Sequence, residues 1–411
     1  MERILLVRIE DRDSVEETLE ELRGLTETAG GQVVEVLSQK AHKLNPATLV
    51  GSGKVEEIAS VVTRQKIQSV IFDKELSPAQ QKNLEESIPS KILDRTRLIL
   101  DIFAQRARTR EGGLQVELAQ LSYLLPRLTG RGVELSQQVG GIGTRGPGER
   151  QLEIERRKIR DRIAKLKSEI SHIRQQRTLQ RQKRLSVPFP TIAIIGYTNV
   201  GKSTLLNTLT GEKSKVVADD KLFATLDPTT RRVKLPAGGW ALFTDTVGFI
   251  QKLPHTLIAA FRATLEEVTQ ADILLHVRDA SSPHALHQKQ AVEQVLEELK
   301  AEEIPRIDVL NKWDKLNPTE KMSRHKENPQ GIPLSASQGT GLDILLNRIE
   351  EFLSYKWLKR EILLPTTQSR LLNEIYKTSQ VLHQKNTNGQ YHIQMRITKE
   401  NYQRLLKLIR S

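Results

Sequence analysis

Apolar and polar positions along the chain alternate between two periods. Ile4–Ile9 is a near-continuous apolar run of strand length, and Val33–Leu37 and Ser69–Phe72 repeat the pattern. Between the first two, Ser14 and Glu17 have the spacing of a capping box, opening a helix that should end at Gly30–Gly31. Ser77, Pro78 and Gln80 supply the N-cap, the N1 proline and the N3 acceptor of another helix. Leu98–Phe103 reads as a further strand or an entry into helix. Strands alternating with helices predict a small α/β domain over residues 1–104.

From 105 to 187 the period lengthens. Leu114, Leu118, Leu121 and Leu125 fall on one helical face, and a glycine-rich stretch follows at Gly140–Gly148. Beyond it Leu152, Ile159, Leu166 and Ile173 recur every seven residues, with Ile163 and Ile170 at the alternate position, as in a coiled-coil seam. Two long antiparallel helices joined by a flexible tip are expected. Residues 188–357 alternate strand and helix as βαβ units do. Residues 358–411 read as a small α/β domain: helical Gln368–Leu382, a turn at Asn386–Gly389, strand Tyr391–Ile397, and a helix opening near Thr398.

Composition narrows the class. The chain has 411 residues, 37% hydrophobic and 27% charged, which fits several globular domains. No apolar run approaches the roughly 18 residues of a membrane span, and the start MERILLVRIEDRD turns acidic too soon for a signal peptide. Cys is absent, which excludes disulfide scaffolds, thiolate metal sites and cysteine nucleophiles. A cytoplasmic, monomeric protein is expected. The formal charge is +13, and residues 150–184 hold 13 basic and 4 acidic residues, so most of the excess lies on the second arm of the hairpin. Such a run often marks only a solvated face. With one sign dominant it predicts contact with nucleic-acid phosphates through Arg145, Arg150, Arg156, Arg157, Lys158, Arg160 and Arg162. Aromatics at 4% argue against recognition of single strands by stacking.

The strongest chemical signal is Gly196-Tyr197-Thr198-Asn199-Val200-Gly201-Lys202-Ser203, with Thr204 continuing into helix. It lies between the apolar run Thr191–Ile195 and the helical stretch Thr204–Leu209, the strand–GxxxxGK[ST]–helix setting of a P-loop. Its backbone amides and Lys202 would cradle phosphates, and the Ser203 hydroxyl would ligate Mg²⁺. Asp245-Thr246-Val247-Gly248 ends another strand; its carboxylate can hold the Mg²⁺ shell and the Gly248 amide can meet the γ-phosphate. Asn311-Lys312-Trp313-Asp314 follows the strand Ile307–Leu310. A carboxylate at Asp314 accepts from both N1–H and N2–H of guanine, a donor pair adenine lacks. Ser335-Ala336-Ser337 can place a backbone amide on guanine O6. GTP and GDP are the predicted ligands, Mg²⁺ the predicted cofactor, and GTP hydrolysis the predicted reaction. Lys202 and the Gly248 amide are placed as its catalytic groups. In the intervening loop Phe223-Ala224-Thr225-Leu226-Asp227 through Thr230, a threonine should complete Mg²⁺ ligation. Spacing leaves Thr225, Thr229 and Thr230 open.

The runs FATLDPTTRR, DTVGFIQKLPHTLIAAFRATLEE and GGIGTRGPGERQLE together resemble the HflX family of ribosome-associated GTPases, within the Obg–HflX group, and the resemblance covers essentially the whole chain. It implies an α/β protein with a Ras-like P-loop GTPase domain at 188–357. A small α/β domain (1–104) and a basic helical hairpin with a Gly-rich tip (105–187) would precede it, and a small α/β domain (358–411) would follow. It also implies binding to the large ribosomal subunit and its rRNA, with dissociation of stalled or stressed ribosomes. A large-subunit assembly GTPase and a nucleotide-gated RNA-binding module are the alternatives. The family pattern selects Thr225 as the metal ligand. Trp313 departs from it, since an aliphatic residue is more usual there.

Ras-type enzymes carry a water-orienting glutamine directly after the DxxG glycine. This chain has Phe249 and Ile250. Slow intrinsic hydrolysis is therefore expected, with help from elsewhere in the protein or from a partner whose docking buries the apolar 249–254 segment. Weaker signals are read as structural. Gly51-Ser52-Gly53-Lys54 is a helix-entry turn, with a phosphate site as the alternative. His284 and His287 lack the acidic or Cys partners of a metal site. His255 is assigned to packing or partner contact.

Overall fold

The structure, a computed structural model, describes residues 1–10, 17–40, 44–128, 147–184, 189–211, 222–251, 265–387 and 389–410. They fall into two compact units. The first is built on a parallel sheet of order β2-β1-β3-β4, from β1 (Glu2–Glu10), β2 (Gly31–Lys40), β3 (Ser69–Phe72) and β4 (Lys91–Asp94). Its helices are α1 (Glu17–Thr28), α2 (Ser52–Gln65), α3 (Pro78–Ser87), α4 (Arg95–Arg106) and α5 (Arg110–Leu124). The interior strands carry near-continuous apolar runs because parallel strands bury both faces: Leu5, Val7, Val70 and Phe72 form the core with Ile58 and Leu84 from the helices. The predicted α3 cap is present, with Ser77 accepting from the Gln80 amide and Gln80 reaching back to the Ser77 amide. Leu98–Phe103 is helical, capped by Asp94, which accepts from the Arg97 amide at 2.8 Å. Ser14 lies outside the described residues. The Gly51–Lys54 turn opens α2, and Lys54 pairs with Glu57 at 2.6 Å.

The hairpin arms are unequal. The first is α5, a 15-residue helix that ends in a 3₁₀ turn at Leu125–Leu128. It packs on α4, and its buried positions are Glu111, Gly112, Gln115, Val116, Ala119 and Tyr123. The leucine stripe 114/118/121/125 is therefore not the core face: these leucines are only half-buried. The second arm is α6 (Pro147–Arg184), 38 residues long. Leu166 and Ile170 of its heptad seam are buried, and Leu152, Ile159 and Ile163 are half-buried. Arg162 holds Glu117 of α5 through two bonds of 2.7 Å, and Arg110 faces Glu169 at 3.9 Å, which fixes the arms as antiparallel. The Gly140–Gly146 part of the tip lies outside the described residues.

The second unit contains a six-stranded sheet of order β10-β9-β8-β5-β7-β6. Its strands are β5 (Thr191–Gly196), β6 (Thr229–Lys234), β7 (Trp240–Asp245), β8 (Ile273–Asp279), β9 (Arg306–Asn311) and β10 (Ile332–Pro333). All pairs are parallel except β6 with β7. Around it run α7 (Lys202–Thr210), α8 (Ala285–Glu298), α9 (Pro318–Glu327) and α10 (Leu342–Ser354). A second, antiparallel sheet of order β11-β13-β12 follows, made by β11 (Trp357–Pro365), β12 (Gln380–Thr387) and β13 (Gln390–Thr398), with α11 (Ser369–Thr378) and α12 (Lys399–Arg410). The α/β architecture agrees with the prediction. One boundary does not: the helix expected to reach Leu382 stops at Thr378, and Gln380–Thr387 is strand. Gln380–Thr387 pairs antiparallel with β13, and pairing overrides helical propensity. Arg396 of β13 is buried because its guanidinium pairs with Glu350 of α10 at 2.9 Å. No helix among the described residues is long and apolar enough to cross a membrane.

The α3 cap yields a local test. Ser77→Ala removes the side-chain acceptor and should cost about 1 kcal/mol, or roughly fivefold in local opening. Amide exchange in the first turn of α3 should accelerate by that factor while β1 exchange stays unchanged.

Candidate functional site

The chemistry-bearing residues gather at the carboxyl ends of β5, β7, β8 and β9, where the strand order reverses direction on either side of β5. The P-loop 196–203 joins β5 to α7 and needs two of its glycines. Gly196 has φ 150, and a β-carbon there would lie 2.2 Å from the Val277 carbonyl oxygen. Gly201 has φ 92, and its β-carbon would lie 2.4 Å from Asn311 Nδ2. That close approach has a purpose. Asn311, almost fully buried, donates to the Val200 carbonyl at 2.7 Å and accepts from the Ala336 amide at 2.9 Å. Its side chain thereby ties the P-loop to the Ser335–Ser337 loop.

At the phosphate end three oxygens converge. Ser203 Oγ donates to Asp245 Oδ2 at 2.6 Å, Thr225 Oγ1 donates to the same oxygen at 3.0 Å, and the two hydroxyls are 2.9 Å apart. Thr229 and Thr230 lie instead in β6, and Thr230 Oγ1 bonds Thr244 Oγ1 at 2.9 Å. Of the three threonines that spacing left open, Thr225 is the one that meets Ser203 and Asp245. Asp245 has no exposed surface. Burial pushes its carboxyl up, while the Lys202 charge and the two hydroxyls pull it down. Lys202 is buried too, donating to the carbonyls of Gly196 at 3.1 Å and Tyr197 at 2.6 Å. Burial lowers its ammonium to about 8, with the Asp245 charge opposing.

At the base end, Asp314 is exposed beside Lys312, which has φ 60 and donates to the Asn199 carbonyl at 2.7 Å. Lys312 also pairs with Asp279 at 2.7 Å. Asp279 had no motif to announce it; only its position at the end of β8 could have. Trp313 packs against Ala280, Leu310 and Leu316, which accounts for a large side chain at that position.

Four family models match the chain in order. They are described as GTP-binding GTPase N-terminal (residues 16–104), GTP-binding GTPase Middle Region (106–184), 50S ribosome-binding GTPase (191–312) and HflX C-terminal domain (320–409). A GTPase HflX of Caldanaerobacter subterraneus subsp. tengcongensis is 47% identical over 410 residues, covering 100% of this chain and 94% of the relative. That of Escherichia coli K12 is 43% identical over 412 residues, covering 99% and 96%. The chain belongs to the HflX family of GTPases. It binds guanine nucleotides and hydrolyses GTP. Among solved structures, a GTP-binding protein from the archaeon Sulfolobus solfataricus in complex with GDP is 25% identical, covers 86% of this chain and 99% of that one, and has a TM-score of 0.45.

Three expectations change on the structure. Of the 249–254 segment, Phe249 and Ile250 are 2% and 1% exposed, so no partner is needed to bury these two, and 252–254 lies outside the described residues. Phe223, placed with the nucleotide contacts, turns its buried ring onto Phe103 in a T-shaped pair with centroids 4.7 Å apart. Arg162, placed on the nucleic-acid face, is held by Glu117. Arg157, Lys158 and Arg160 are exposed and Arg156 is half-buried. Arg145 and His255 lie outside the described residues, as does the side chain of Arg150. Among the described residues no group of three or more His or acidic side chains is placed for a metal.

The Lys202 pKa sets a pH dependence. In the free protein the ammonium deprotonates as pH rises through about 8, whereas bound phosphate favours its charged form. Binding must therefore take up a proton above that pH. GDP affinity should be flat below about pH 7 and fall by up to tenfold per unit above about pH 8. Calorimetry at pH 8.5 in two buffers of different ionisation enthalpy should show uptake of about three-quarters of a proton; equal uptake at pH 6.5 would refute the assignment.

Proposed function

We propose that this chain is a cytoplasmic GTP-driven factor that docks its basic hairpin and N-terminal domain on the large ribosomal subunit and its rRNA. In the GTP state it dissociates stalled or stressed ribosomes, and hydrolysis resets it. Its working parts are an N-terminal domain over 1–104, the hairpin over 105–187, the GTPase domain over 188–357 and the C-terminal domain over 358–411. The observation that carries the reading is the exposed run Arg157, Lys158 and Arg160 on α6, next to half-buried Arg156. Four cations within five residues of one helix suit a phosphate backbone rather than a base-edge contact. The family model over residues 191–312, described as a 50S ribosome-binding GTPase, supports the choice of partner.

In the nucleotide site, the amides of 197–203, the Lys202 ammonium and the Gly248 amide hold the phosphates, and Asp314 reads guanine. P-loop GTPases generally use Mg²⁺, which takes oxygen ligands in near-octahedral geometry. Ser203 Oγ, Thr225 Oγ1 and Asp245 Oδ2 are separated by 2.6, 2.9 and 3.0 Å. Neighbouring ligands of an octahedral Mg²⁺ are about 2.9 Å apart, so the donor set fits that ion. Its charge would neutralise the phosphate oxygens during transfer to water.

Two measurements test the reading. Thr225→Ala should spare GDP affinity within about twofold and abolish the GTP-dependent state, while Ser203→Ala should weaken both nucleotides. Loss of GDP affinity in Thr225→Ala would remove Thr225 from a GTP-only role. Sedimentation of intact ribosomes with protein and GTP should show the joined particle lost to subunits. A factor that binds precursor subunits and leaves the joined particle intact would be an assembly GTPase, and equal binding to free RNA would mark an RNA module. Neutralising Arg156, Arg157, Lys158 and Arg160 while keeping Arg162 should flatten the salt dependence of subunit binding by about three charges. An unchanged slope would make α6 a solvated face.

A further inference from the structure

The position that carries a water-orienting glutamine in Ras-type enzymes holds Phe249 in this chain, with its side chain 2% exposed. Its backbone is fastened to the P-loop: the Thr198 amide donates to the Phe249 carbonyl at 2.8 Å, and the Phe249 amide donates to the Gly196 carbonyl at 3.1 Å. This zipper brings Gly248 against one P-loop side chain. A β-carbon on Gly248 would lie 2.8 Å from Thr198 Cγ2, 2.9 Å from Thr198 Cα and 3.0 Å from Lys202 Nζ. A phosphoryl group that meets both the Gly248 amide and the Lys202 ammonium is thus within reach of Thr198. Thr198 is 5% exposed, and its Oγ1 has no hydrogen-bond partner among the described residues. Buried hydroxyls are ordinarily bonded, so an unmatched one at a ligand site points to the ligand.

We propose that the Thr198 hydroxyl is a catalytic group that performs in cis the role left open by Phe249. A hydroxyl has one donor and two acceptor positions. Thr198 Oγ1 donates to a γ-phosphate oxygen and accepts a hydrogen bond from the attacking water, the same pair of contacts a glutamine amide supplies. The water oxygen then forms its bond to the γ-phosphorus as the bond to the β–γ bridging oxygen breaks. The bonding electron pair leaves with GDP, and the water proton passes to the released phosphate. Thr198 keeps its own proton throughout. This proposal rests on the reading of Lys202 and Gly248 as the γ-phosphate groups.

The test is single-turnover GTP hydrolysis by the full-length protein with Thr198→Val, Thr198→Ser and Thr198→Ala, alongside GDP and GTP affinities for each. Thr198→Val keeps the shape and removes the hydroxyl. It should slow hydrolysis at least tenfold with GDP affinity within twofold of the parent, and Thr198→Ser should restore most of the rate. Parent-like hydrolysis by Thr198→Val would overturn the assignment, as would faster hydrolysis by Thr198→Ala, which would make the side chain an obstruction. Equal losses of GDP affinity and rate in Thr198→Val would reduce Thr198 to a packing residue and overturn it as well. Lys202→Ala separates the two readings: if it leaves nucleotide affinity unchanged, the underlying phosphate assignment has failed rather than the role of Thr198.

Discussion

Two opposite charges without solvent, the Asp245 carboxylate at the end of β7 and the Lys202 ammonium at the head of α7, set the terms for the rest of the second unit. Burial raises one pKa and lowers the other, and each charge opposes the shift of its partner. Neither group can be left isolated in a low-dielectric site at small cost. Ser203 and Thr225 therefore converge on the carboxylate, and the P-loop carbonyls of Gly196 and Tyr197 turn inward to accept from the lysine. A nucleoside triphosphate and its cation would substitute phosphate and metal charge for these internal partners. That substitution would couple the loop carrying Thr225 to the presence of ligand.

A second tie makes the site rigid where recognition needs it. Asn311 joins the P-loop to the Ser335–Ser337 loop through two hydrogen bonds from one buried amide. A side chain at position 201 would collide with that amide, which gives the P-loop glycine a role beyond its φ. Lys312, anchored by Asp279 and the Asn199 carbonyl, adds a cross-link on the exposed side. The P-loop, the 311–314 segment and the Ser335–Ser337 loop are thus parts of one network rather than adjacent motifs.

Charge on the hairpin divides in the same physical way. Arg162 closes a bidentate bond with Glu117 and serves the arm-to-arm register. Its neighbours Arg157, Lys158 and Arg160 point to solvent. A local excess of charge is a property of composition, but which cations remain available to a polyanion depends on what the opposite helix presents.

Strand ends and motif order were legible in the sequence because they are local: a buried strand needs its apolar run, a phosphate loop its glycines, and a helix its cap. The α/β class, the P-loop setting and the α3 capping box follow from such short-range rules. Spacing alone could not choose among Thr225, Thr229 and Thr230, and only the family pattern pointed to Thr225, since which threonine meets Ser203 and Asp245 turns on which residues join β6 and pair with Thr244. The same holds for Asp279, for Thr198 against Gly248, and for the end of α11 at Thr378, where pairing in the antiparallel sheet decides against the helix. The leucine stripe of α5 makes a related point: periodicity marks a face, but the helix packed against it decides which face is buried. Sequence by itself determined the elements and the chemistry they carry; only tertiary contact, by removing water from particular side chains, decided which of them meet.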